Sequence, residues 1–297
     1  MDPDESTPPV PLDGEIGEAT ITLPPPVLPP AAPVAPKPYP GFWQAVGLFA
    51  LYSILQIVGL VPFLVYDSFR HGNMHEHPAV LAFGISVAGI GVVLVARKRL
   101  GITVRQMAGP LVRLQFFPPI ALVVFALLMV EAILALWVSR RFPSLLTQTE
   151  LGIGRSPWGG FLLIVIAAPL IEEAIFRGIF LRGFIARYGR TRGILLSAIL
   201  FGAAHFSILK LAGMIAIGLI LGWMYSELRS IWAGVFAHIV NNSLALLTIS
   251  LAPTPKKGGD LVGHFSWAEP VVALVGVVLL VSGLRALRRA IARPESD

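Results

Sequence analysis

Continuous apolar runs of 16 to 25 residues recur eight times along this chain, at approximately 42–66, 79–96, 118–138, 158–181, 193–208, 211–227, 230–251 and 268–286. A hydrocarbon core about 30 Å thick is crossed by roughly 20 apolar residues in a helix. Inside lipid no water satisfies backbone N–H and C=O groups, so only helices and closed barrels span a membrane. These runs are continuous and lack the alternation of barrel strands. The expected fold is all-α, a polytopic membrane protein built as a bundle of about eight transmembrane helices. Composition points the same way: 55% of the residues are hydrophobic and 13% charged, with a mean hydropathy of +0.76, against about one quarter charged in soluble domains. An ordinary soluble enzyme is excluded. Cysteine is absent, which removes thiolate nucleophiles and leaves only His, Asp and Glu as metal ligands.

Residues 1–40 hold 13 of the 25 prolines and the acids Asp2, Asp4, Glu5, Asp13, Glu15 and Glu18, a composition that cannot bury a core and favours extended disorder. They read as a disordered cytoplasmic tail without the basic and apolar regions of a signal peptide. N-terminal transmembrane helices follow over 41–150, then a segment over 151–252 that carries the polar motifs, and finally a loop, a last transmembrane helix and a basic C-terminal tail over 253–297. Deleting residues 1–40 is expected to leave insertion, folding and activity intact; a truncated protein that inserts but has lost all activity would overturn this.

The net charge of +6 comes from Lys and Arg beside the apolar runs, so the expected partner is the lipid bilayer and not nucleic acid. With the N-terminus inside, the inner segments carry 15 Lys and Arg, among them Arg97, Lys98, Arg99, Arg182, Arg187, Arg288 and Arg289, and the outer segments carry 7. By the positive-inside rule both termini are expected in the cytoplasm, with the protein in a bacterial inner (cell) membrane.

An ionisable side chain inside a span is costly and is by default a functional candidate. The fourth run contains Glu172, Glu173 and Arg177. Glu173 and Arg177 stand four apart with the acid N-terminal, the favoured order for a helical ion pair. Glu172 points about 100° away around the helix, so its carboxylate stays available as a general base. The fifth run holds Phe201 and His205, and the seventh holds His238 and Asn242, each pair one helical turn apart. At about 1.5 Å per residue, Glu172 lies about 14 Å, His205 about 18 Å, His238 about 12 Å and Asn242 about 18 Å from the cytoplasmic ends of their runs. Four polar groups on three helices therefore reach one layer.

Other polar residues receive blander readings. Glu131 in the third run reads as a hydrogen-bonding partner for another helix. His71, His75 and His77 with Glu76 read as a solvated loop, and Glu227 with Arg229 as interfacial. Gly213, Gly218 and Gly222 read as sites of close helix packing.

The order Glu172-Glu173…Arg177, Phe201…His205, His238…Asn242 resembles the CPBP family of intramembrane endopeptidases, which includes the type II CAAX prenyl proteases and the Abi immunity proteins. Their pattern is EExxxR, FxxxH and HxxxN on separate helices, and the resemblance covers about residues 150–251. It implies hydrolysis of a peptide bond in a membrane-associated protein or peptide, within a cavity open to the cytoplasmic side and with CAAX-type prenylated proteins among the candidate substrates. By position, Glu172 and His205 would activate water and His238 and Asn242 would stabilise the oxyanion, with Glu173, Arg177 and Phe201 in structural support. No cofactor is favoured; zinc is the metal that Glu172, His205 and His238 would hold if one were bound. Two alternatives remain beside this reading: an inactive Abi-like immunity or scaffold protein, and a transporter relaying protons through Glu and His.

Overall fold

The computed structural model describes residues 38–70, 78–141, 162–205, 207–251 and 266–293. All regular structure among the described residues is helical. The tail up to residue 37, the histidine-rich stretch 71–77, and Arg155, Lys256 and Lys257 lie outside them.

Helix α1 (Phe42–Arg70) is followed by α2 (Pro78–Leu100), whose last turn carries Arg97, Lys98 and Arg99, where cations face the negative end of the helix dipole. The short α3 (Val104–Ala108) begins on a reciprocal cap: the Thr103 hydroxyl accepts from the Gln106 backbone N–H, and the Gln106 side chain accepts from the Thr103 N–H. α4 (Phe117–Arg141) opens on Pro118 and Pro119, which cost nothing at positions where N–H groups have no helical partner.

The fourth run folds as one continuous helix, α5, made of the segments Leu162–Ala167, Ala168–Glu173, Ala174–Leu181 and Arg182–Tyr188. The first and third have the wider π-helical hydrogen bonding. Pro169 between them lacks an N–H, which interrupts the regular ladder, and wider turns of this kind recur at functional sites. The apolar run ends near Leu181, but the helix continues to Tyr188. Gly189 stops it, at φ 83°, a conformation that costs glycine little, with its N–H donating to the Ile185 carbonyl at 3.0 Å. α6 (Arg190–Ala203), α7 (Ile208–Leu228), α8 (Trp232–Leu251) and α9 (Ala268–Ala292) complete the chain.

α5 is the centre of the bundle. Every residue from Ala174 to Leu181 is buried, and α2, α3, α6, α7 and α8 all pack on it. Phe176, Phe180, Phe184 and Phe201 are fully enclosed, with Phe176 edge-on to Phe180 at 5.5 Å and to Phe201 at 5.2 Å. Since lipid is as apolar as a core, such bundles cohere by close packing. In the α6–α7 hairpin, Gly218 lies against Ala198 and Gly222 against Ile194. Opposite, α4 packs along α9 and is tied to it by a two-pronged ion pair, Arg140 to Glu269, with both bonds at 2.7 Å.

The fold is that of an all-α polytopic membrane protein. Helices occupy the positions of all eight apolar runs. Among the described residues, four of them are long and apolar enough to cross a bilayer by length and composition alone, over Phe42–Gly59, Leu114–Val138, Leu211–Leu228 and Ala268–Ala292. α5 falls outside this group with three charged residues between 172 and 177, and α6 has 14 residues, about 21 Å of helix.

Candidate active site

Glu173 and Arg177 close the ion pair that their spacing predicts, Oε1 to Nη1 at 2.7 Å, with side chains 0% and 1% exposed. The guanidinium also reaches the Gly218 carbonyl at 3.5 Å and lies 4.4 Å from the centre of the Phe201 ring. One buried cation thereby gathers α5, α6 and α7. Gly234 of α8 lies flat against the Glu173 carboxylate, where a Cβ would overlap it, so α8 approaches α5 at this level because it has no side chain there.

That approach places His238, one turn further along α8, between the two glutamates. Its Nδ1 stands 3.5 Å from Glu173 Oε1 and its Nε2 3.8 Å from Glu172 Oε2. Both exceed direct hydrogen-bond length, and Glu172 Oε2, Glu173 Oε2 and His238 Nδ1 are buried atoms with no hydrogen-bond partner among the described residues. Two atoms 3.8 Å apart can both touch one water lying to their side. Glu172 keeps 22% of its side chain exposed while His238 keeps 6%, so the carboxylate borders open space and the imidazole is sunk behind it.

His205 sits just beyond its helix. α6 ends at Ala203, and the His205 N–H donates to the Gly202 carbonyl at 3.2 Å in the following turn. Its Nδ1 lies 2.9 Å from the Phe201 carbonyl oxygen. A carbonyl only accepts, so Nδ1 carries the hydrogen and neutral His205 presents Nε2 as its lone pair. Phe201 touches both imidazoles edge-on, His205 at 5.0 Å and His238 at 5.7 Å between ring centres. Of the two imidazoles, His238 is the one that comes within 4 Å of the Glu172 carboxylate, at 3.8 Å.

Asn242 donates from Nδ2 to the Ile164 carbonyl at 2.7 Å and accepts from Asn241 Nδ2 at 3.1 Å. It ties α8 to the π-helical part of α5, and an amide nitrogen holds a second N–H. Asn241 escaped the sequence reading. It is 9% exposed, its Oδ1 is buried without a partner among the described residues, and it lines with His238 a small apolar cavity walled by Val124 and Leu127 of α4 and Leu221 of α7. Its signal was the doublet Asn241-Asn242 itself. Glu131 points at Gly213 on α7, with Oε1 buried and unpartnered among the described residues. Glu227 pairs with Arg190 across the start of α6 and the end of α7. Among the described residues no three His, Asp or Glu side chains gather closely enough to hold a metal ion.

Residues 154–244 match the family described as Type II CAAX prenyl endopeptidase Rce1-like, so the likeness carried by the three motifs holds over nearly the stretch that they mark out. Among curated proteins, "Putative membrane peptidase YdiL" of Bacillus subtilis is 30% identical over 92 residues, which are 29% of this chain and 36% of that protein. An uncharacterized 24.3 kDa protein of Escherichia coli is 38% identical over 91 residues, 29% of this chain and 42% of that one. The aligned segment spans less than half the length of either relative. No solved structure matches significantly.

Proposed function

We propose that this chain is an intramembrane endopeptidase that hydrolyses a peptide bond in a membrane-associated protein or peptide. The observation that carries the reading is the approach of His238 Nε2 to Glu172 Oε2 at 3.8 Å, within helices that resemble the Rce1-like family. Glu172 is the general base for a water, His205 Nε2 is a second proton acceptor, and His238 and the remaining Asn242 N–H donate to the oxyanion of the tetrahedral intermediate. The Glu173 carboxylate stands behind His238, 3.5 Å from Nδ1, on the side of the ring away from the Nε2 that faces Glu172. Prenylated CAAX-type proteins are the leading substrate class through the family likeness. The site opens to the cytoplasmic half of a bacterial cell membrane, with both termini on that side, as the Lys and Arg distribution supports.

The protein reconstituted in liposomes and offered prenylated and unmodified peptides tests the reading. Cleavage of either supports an endopeptidase, a preference for the prenylated peptide supports the CAAX-type substrate, and no cleavage of any membrane-associated peptide rejects the reading. The water activation proposed is metal-free, because no three His, Asp or Glu side chains gather as a ligand set for zinc among the described residues. Hydrolysis is therefore expected to persist after dialysis against a strong chelator, measured with a metal analysis of the same sample; loss of activity restored by zinc would overturn it.

A further inference from the structure

The torsion that turns an asparagine amide is broad and close to two-fold, so the direction of its N–H groups is set by what the amide bonds to. Two partners set it for Asn242. The first is a carbonyl of α5. Ile164 lies in the π-helical segment Leu162–Ala167, where a carbonyl accepts from the N–H five residues on. For Ile164 that residue is Pro169, which has no N–H to give. Asn242 Nδ2 donates to the Ile164 carbonyl instead, at 2.7 Å. The proline that interrupts the ladder of α5 thus also opens the acceptor on which Asn242 is seated.

The second partner is Asn241, whose Nδ2 donates to Asn242 Oδ1 at 3.1 Å. Asn241 is 9% exposed and lies beside the aliphatic side chains of Val124, Leu127 and Leu221. An amide sunk among such groups is costly unless it is hydrogen-bonded, and among the described residues its side chain bonds to Asn242 alone. With Oδ1 and one N–H engaged, the planar Asn242 amide has a single direction left for its second N–H, the one assigned above to the oxyanion.

We propose that Asn241 is a positioning residue that acts through Asn242: by donating to Oδ1 it fixes the amide plane together with the Ile164 carbonyl, and so aims the second Asn242 N–H at the site. The inference deepens the endopeptidase reading and rests on it for the kinetic half of its test alone. The full chain in liposomes is used throughout. Asn241→Leu keeps the volume and suits the aliphatic surroundings; it should lower kcat about tenfold with KM unchanged, the scale of one lost hydrogen bond. Once Asn242→Ala is in place it should lower kcat no further, because residues that act as a unit are not additive. A purely structural role for Asn241 would give the same loss in both backgrounds. The second half needs no substrate. The chain has three asparagines, Asn73, Asn241 and Asn242, so in protein made with isotope-labelled asparagine the NMR signal of the Asn242 side-chain amide is the one lost in Asn242→Ala, and it should move in Asn241→Leu. Should Asn241→Leu fail to fold, Asn241→Ala, which forces nothing into the cavity, should move the same signal. An unmoved Asn242 signal overturns the assignment, as does wild-type kcat in Asn241→Leu or an equal loss of kcat with and without Asn242. If the wild-type protein cleaves no peptide, the endopeptidase reading fails, and the Asn242 signal still decides whether Asn241 holds that amide.

Discussion

Glu172→Gln should lower hydrolysis by about 10³-fold or more while the protein keeps its fold and its membrane insertion, since general-base catalysis contributes typically 10² to 10⁴. Glutamine preserves the shape and can still hydrogen-bond, but it cannot take a proton from water. Its side chain stands where Glu172 is 22% exposed and 3.8 Å from His238, so no buried charge is left without a partner. Peptide cleavage in liposomes, with melting measured on the same preparation, is the test. Full turnover in a well-folded Glu172→Gln protein would remove Glu172 from the mechanism and leave His205 Nε2 as the remaining base.

Glu173→Gln should fail in the opposite manner, through stability. Arg177 is 1% exposed and Glu173 0%, and removing one partner of a buried pair leaves an uncompensated charge at a cost of about 3–5 kcal/mol. At about 2–4 °C per kcal/mol this lowers the melting temperature by roughly 10 °C. The Gly218 carbonyl and the Phe201 ring still face the guanidinium but neither carries a countercharge. The double variant Glu173→Gln/Arg177→Met should recover much of the loss, because replacing both members of a buried pair with groups of similar volume is often neutral. A single variant that melts like the wild type would show that the pair contributes little. A single variant equally stable but slow would point to the 3.5 Å contact with His238 as the main role of Glu173.

The sequence made the helices and the internal pairing of α5 legible, because both are local. Glu173 and Arg177 share one helix, and periodicity alone brings them together. Helix ends were less legible: α5 runs past its apolar stretch until Gly189 turns it, and α6 stops short of His205. Which imidazole faces Glu172 could not be read, since spacing fixes the face of a helix that a residue occupies and not how neighbouring helices are rotated against one another. The close pass of Gly234 over Glu173 sets that rotation for α8.

The buried cation at the centre of α5 also bears on how the protein is made. A helix with Glu172, Glu173 and Arg177 within six residues is a poor substrate for the translocon, which charges about 2.5–3.5 kcal/mol for each such residue at mid-helix. The intrahelical pair offsets part of that cost during entry. The Gly218 carbonyl and the Phe201 ring, however, belong to α7 and α6, which are synthesised later. α5 therefore enters lipid incompletely solvated by protein and gains the last partners of its buried cation only when the α6–α7 hairpin arrives, so the surroundings of Glu172 and Glu173 are completed in a late step of membrane assembly.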